Sequence, residues 1–152
     1  MKLGKFFSLT EMTQSQTAVR KGIDNMPNEK ELECLKELVK NVLDPIREHF
    51  GKPVTINSGF RGAKLNRAVG GSSRSQHCKG QAADIEIKGV CNLELAHWIA
   101  ENMEFDQLIS EFHTPGDPES GWVHVSWVSP KKNRKQCLTI NKNGTKSGLP
   151  PR

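Results

Sequence analysis

The chain has 152 residues, 35% of them apolar and 26% charged, with a net charge of +5 and a mean hydropathy of −0.59. These values fit one soluble globular domain and exclude a disordered tail, and no apolar run reaches the ~20 residues that cross a bilayer, so membrane insertion is not expected. The cationic surplus suits a polyanionic partner such as nucleic acid, anionic lipid or an anionic cell wall.

Residues 1–28 read as a polar arm with a short helix, for which Ser8 and Glu11 form a capping signal. The N-terminal stretch lacks the roughly 7–15-residue apolar core of a secretory signal, so synthesis and initial retention in a cytoplasm are expected. A long helix begins after Asn28, with Glu29 and Glu31 in its first turn and an apolar stripe from Leu32 to Ile46. Pro45 has no N–H to give, so the helix should kink or restart there, with Asp44 as a cap.

Beyond Gly51, the run 53–58 reads as a strand and 63–69 as a short helix. A polar loop then leads into SQHCKGQAAD, residues 75–84. Residues 82–87 form a strand and 92–103 a helix, which Trp98 packs on the sheet. Strands follow at 105–111 and 122–127, and 138–140 reads as an edge strand before an Asn143-Gly144 turn. This order suggests an α+β domain, a small antiparallel sheet with its helices on one side. It spans 1–152 as a single unit with a core of about 7–141, and 1–6 and 147–152 are expected to fray.

The cysteines at 34, 78, 91 and 137 form no CxxC pair, so free thiols are expected in a reducing compartment. Cys78 lies beside His77, but neighbouring residues rarely ligate one ion. The densest basic run, 131–135, has no interleaved aromatic residues and reads as a solvated turn, which argues against nucleic acid as the partner.

Side chains alternate faces along a strand. Asp84 therefore shares an open face with Ala82 and Glu86, while Ala83, Ile85 and Ile87 face the core. On the later strand Trp122, His124 and Ser126 lie opposite Val123, Val125 and Trp127. His77 approaches from the loop that Gly80 turns. Two imidazoles, one carboxylate and an open fourth position fit a catalytic zinc ion. Taken alone, the spacing of His77 and Asp84 reads equally well as a surface histidine and a hydrogen-bonded aspartate.

Five segments occur in a fixed order: SGFR at 58–61, LNRAVGG at 65–71, SQHCKGQAAD at 75–84, FDQLI at 105–109 and WVHVS at 122–126. Together they resemble the M15 zinc peptidases, and most of all the short phage- and prophage-type branch of the D-alanyl-D-alanine carboxypeptidase-like proteins, which share a fold with hedgehog-type domains. The resemblance runs from about Phe7 to Trp127. It implies zinc bound by His77, Asp84 and His124, and substrate contact and polarisation by Arg61. Phe60 stands where the family usually has Tyr.

The family's general base is placed differently here. Relatives carry ExxH or HxH before the last ligand, whereas this chain has Gly121 and Trp122 at those positions. Glu111 is the preferred base, since hedgehog-type domains carry a Glu at the end of a comparable strand and since Gln107, Ile109 and Glu111 share a face. Glu119, in a Gly- and Pro-rich loop, is the alternative. Ser75, Gln76 and Ser126 are candidate substrate contacts, and His113 a candidate oxyanion contact.

The resemblance implies hydrolysis of peptidoglycan stem peptides, at a D-Ala-D-Ala bond or an L-Ala-D-Glu-type bond, by a monomeric phage or prophage lysis enzyme. Such an enzyme accumulates in the host cytoplasm and reaches the wall on release, or travels with the virion. A non-catalytic zinc-containing wall- or protein-binding module is the competing expectation.

Overall fold

The computed structural model describes residues 1–152. Two short helices open the chain, α1 (Leu9–Thr13) and α2 (Gln16–Lys21). The Ser8 side chain caps α1 and Glu11 reaches back to the Ser8 N–H, a reciprocal capping box. Leu3 and Phe7 are buried in the main core, and Leu3 N–H donates to Phe7 O. At the far end Arg152 pairs with Glu94 and Glu101, and the Pro150 carbonyl meets His97 Nε2 at 2.7 Å.

Helix α3 (Glu29–Leu38) starts with a second capping box, between Asn28 and Glu31. Instead of breaking at Pro45, the helix widens into a π-turn over Val39–Leu43 and continues as α4 (Asp44–Phe50). In that turn the Asp44 N–H reaches back five residues to Val39 O. An α-helical register would ask Pro45 for an N–H it lacks and press its ring on the Asn41 carbonyl; the wider turn relieves both. Asp44 does not cap the restart. Its carboxylate accepts the N–H groups of Lys5 and Phe6 at 2.7 and 3.1 Å, fastening the arm to the helix.

Six strands form one sheet in the order β1-β2-β4-β3-β5-β6: β1 (Thr55–Ser58), β2 (Ala82–Glu86), β3 (Gln107–Glu111), β4 (Trp122–Ser126), β5 (Gln136–Asn141) and β6 (Gly144–Ser147). Helix α5 (Ala63–Ala68) lies between β1 and β2, and α6 (Asn92–Asn102) between β2 and β3. The sheet is antiparallel except for one pair. After β4 the chain passes over β3, so β5 runs parallel to β3, and β6 rather than β5 is the edge. The bonds Lys135 N to Phe105 O and Gln136 N to Asp106 O lock that return. A two-residue turn, Lys142-Asn143, closes the β5–β6 hairpin.

Alternation then divides the sheet. Ala83, Ile85, Leu108, Val123 and Val125 join Leu35, Leu38, Val42, Ile46, Leu95 and Ile99 in one buried cluster, which sets the helices on that face. Trp98 packs differently from the expectation: it stacks on His49 of α4 with ring centroids 4.1 Å apart and meets Phe50 edge-on, so it ties α6 to α4. The opposite face of β2, β3 and β4 is left for the site.

Candidate active site

Asp84 and His124 are directly opposed on the neighbouring strands β2 and β4. His77 comes from a single 3₁₀ turn, Gln76–Lys79, just before β2; the Ser75 hydroxyl caps it and Gly80 closes it with a left-handed backbone (φ 74°). Asp84 Oδ1 lies 3.3 Å from His77 Nε2 and 3.0 Å from His124 Nδ1. One ligand atom from each residue fits within 4.8 Å of the others.

The hydrogen bonding of His77 calls for a cation at this point. Its Nδ1 meets the Gly59 carbonyl at 2.8 Å, and a carbonyl can only accept, so Nδ1 carries the proton. A neutral His77 then presents a bare Nε2 lone pair to a carboxylate oxygen at 3.3 Å, two acceptors face to face. A metal ion resolves that conflict, and the outer bond to Gly59 fixes the ring as an outer partner should. The donor set of two imidazole nitrogens and one carboxylate oxygen suits Zn²⁺ with a position left open. Burial alone would raise the Asp84 carboxyl, but hydrogen bonds and positive charge from His124 and His77 in their protonated forms outweigh that and hold it well below the usual carboxylate range, so without a metal a proton on each ring has to take the place of the cation.

Glu111 stands on the same face, directly opposite Trp122 in the β3–β4 register. The Trp122 indole N–H donates to Glu111 Oε2 at 2.9 Å. Burial, and then the negative charge of Asp84, push the Glu111 carboxyl up; His124, the Trp122 bond and His77 pull it down. The net rise moves it toward the range of a working acid–base group. Sequence reasoning placed both residues facing the site but had no sign of this bond, which depends on a register it could not read.

Glu111, His77, Asp84, His124 and Arg61 line one open cavity of about 640 Å³. Arg61 donates its backbone N–H to His77 O and its Nη2 lies 3.4 Å from Ser75 Oγ, while its buried Nε has no partner. Ser75 and Gln76 reach the wall, but Gln76 Nε2 is committed to Asp106 at 2.9 Å. Arg74, Lys79 and Arg134 also line it. Arg134 is the residue that sequence reasoning missed most completely, because it sits in a basic run read as a solvated turn; buried Asp106 holds it at Nε and Nη2.

Three candidates lie elsewhere. Ser126 is fully buried, and its hydroxyl accepts the Gln107 N–H at 2.9 Å. Glu119 is exposed and lines a separate groove beside Glu86 and Asn92. His113 sits in the β3–β4 loop, with Nδ1 3.4 Å from Ser120 Oγ. Cys78 is outside the ligand cluster.

A His–Asp–His set with two buried imidazoles and a part-buried carboxylate, facing an open cavity that Glu111 also lines, is a site of the metal-dependent peptidase type. The chain belongs to the peptidase M15 family, whose model matches residues 5–126. It is similar to the zinc D-Ala-D-Ala carboxypeptidase of Streptomyces albus G, with 39% identity over 98 residues, 58% of this chain. The match covers 36% of that relative, so this chain corresponds to only about a third of its length.

Proposed function

We propose that the protein is a zinc-dependent peptidase that hydrolyses peptide bonds in peptidoglycan stem peptides. The observation that carries this reading is the placement of Glu111 in the same cavity as His77, Asp84 and His124. Family membership and the relative's zinc D-Ala-D-Ala carboxypeptidase name support it.

His77, His124 and Asp84 would hold the ion. Zinc, when bound, supplies a Lewis acid that polarises the scissile carbonyl and makes water easier to deprotonate. Glu111 takes a proton from the attacking water and returns it to the leaving amine. Trp122 anchors Oε2, which leaves Oε1 free for that transfer. The Arg61 guanidinium, with Nε unpartnered, offers donors to the developing oxyanion or to a substrate carboxylate. Arg74, Lys79 and Arg134 make the cavity rim cationic, in keeping with an acidic peptide as substrate.

The bond cut is a D-Ala-D-Ala bond or an L-Ala-D-Glu-type bond. The working context is a phage or prophage lysis enzyme that acts on the wall after release from the host cytoplasm or from the virion, as a monomer. Glu111→Gln tests the assignment. It should retain about one zinc per chain yet lose about 10²–10⁴-fold in hydrolysis of purified peptidoglycan. Equal cutting by the variant removes Glu111 from the mechanism, and a wild type that binds the wall without cutting it is a binding module.

A further inference from the structure

A second, larger cavity of about 900 Å³ adjoins the active site. Helices α2 and α5 wall it, and β1 forms part of its floor. Arg61 lines both cavities, so the two are neighbours across this one residue. No aspartate or glutamate lines the larger one. Its charges are those of Arg61 and Arg20, and neither is in a salt bridge. The Arg20 guanidinium has one internal hydrogen bond, from Nη2 to Thr17 Oγ1 at 3.4 Å. On the rim stand Val19, 82% exposed, and Val69, 44% exposed, two of only five large apolar residues left open to water in the chain.

Unpaired cations, open aliphatic edges and uncharged polar side chains such as Gln14 and Asn57 make a surface matched to an acidic peptide with small apolar side chains. We propose that this groove is the distal half of the substrate site: it takes the segment of an acidic peptide beyond the scissile bond, with Arg20 as the anchor for a side carboxylate. The assignment rests on the peptidase reading and extends it from the bond that is cut to the chain that is recognised. Its chemistry is charge-assisted hydrogen bonding at an arginine with no internal acid to satisfy it.

The test is a binding cycle on zinc-loaded Glu111→Gln protein, in which turnover is slow on the timescale of binding, with and without Arg20→Glu. Two synthetic stem pentapeptides serve as probes, one with the glutamyl α-carboxylate free and one with it amidated. In the Arg20 protein, amidation should weaken binding about tenfold, and Arg20→Glu should weaken binding of the free-carboxylate peptide by a similar factor while compressing the difference between the two peptides. Equal loss for both peptides, no loss for either, or no measurable binding overturns the proposal. A thermal melt of each variant checks that the exposed change leaves the fold intact. Hydrolysis by wild type is read separately. Coupling without any cutting keeps the groove and rejects the peptidase, whereas cutting without coupling does the reverse.

Discussion

Asp106→Asn isolates the support behind the site without touching the metal residues. Asp106 is 2% exposed. Its Oδ1 accepts the backbone N–H and Nε–H of Arg134, both at 3.0 Å; its Oδ2 accepts Arg134 Nη2 at 2.8 Å and Gln76 Nε2 at 2.9 Å. One carboxylate thereby ties the return to β5 to the turn that carries His77. Asparagine keeps one acceptor but turns an NH₂ toward N–H donors. Bonds to a charged group are worth about 1.5–3 kcal/mol each, and leaving a buried donor unmet adds to the loss. Arg134 is half exposed, so water recovers part of its share.

A net loss of about 3 kcal/mol follows, and for a domain of this size that lowers Tm by about 6–12 °C. The pH dependence has a definite sign. The Arg134 side-chain bonds, against the opposing effect of burial and with help from the Arg134 backbone and Gln76, lower the Asp106 carboxyl. Its contribution is therefore complete above the unfolded value of about 3.9 and fades as pH falls through the lower folded value. Thermal melts of both proteins at neutral and strongly acidic pH read this out: the Tm gap should be wide at neutral pH and shrink in acid. A gap under about 1 °C at neutral pH, or one that is independent of pH, refutes the reasoning.

Two further outcomes follow from the same geometry. In Gly59→Ala a Cβ would run into the Met12 backbone carbonyl, displacing the residue whose own carbonyl orients His77, so zinc affinity measured by competition with a chelator should fall about 10–100-fold. Trp122→Phe removes the bond that lowers the Glu111 carboxyl, so the acidic limb of the kcat/KM profile should move to higher pH, since the base works only when deprotonated.

Much of this arrangement is visible in the sequence because it depends on local rules. Both capping boxes, at Ser8–Glu11 and Asn28–Glu31, are four-residue patterns. The faces of β2, β3 and β4 follow from alternation, which puts Asp84, Glu111 and His124 on one side. The rest depends on partners far apart in the chain. The facing of Glu111 and Trp122, the parallel placement of β5 beside β3, and the recruitment of Arg134 by Asp106 across 28 residues are set by tertiary register. Pro45 shows a local rule answered in a different way, since the π-turn absorbs the missing N–H without ending the helix. Ser126 shows the limit of face assignment: it has the right parity, yet the Gln107 backbone takes its hydroxyl inside the sheet.

The most direct test of the account is mass spectrometry of purified peptidoglycan incubated with the zinc-loaded protein, run beside a protein stripped of metal and beside Asp84→Asn. The account predicts a new free terminus at one stem-peptide bond, lost on stripping, restored by zinc, and absent for Asp84→Asn. Stem peptides left intact by the zinc-loaded protein, or cut equally well by the stripped one, would contradict it.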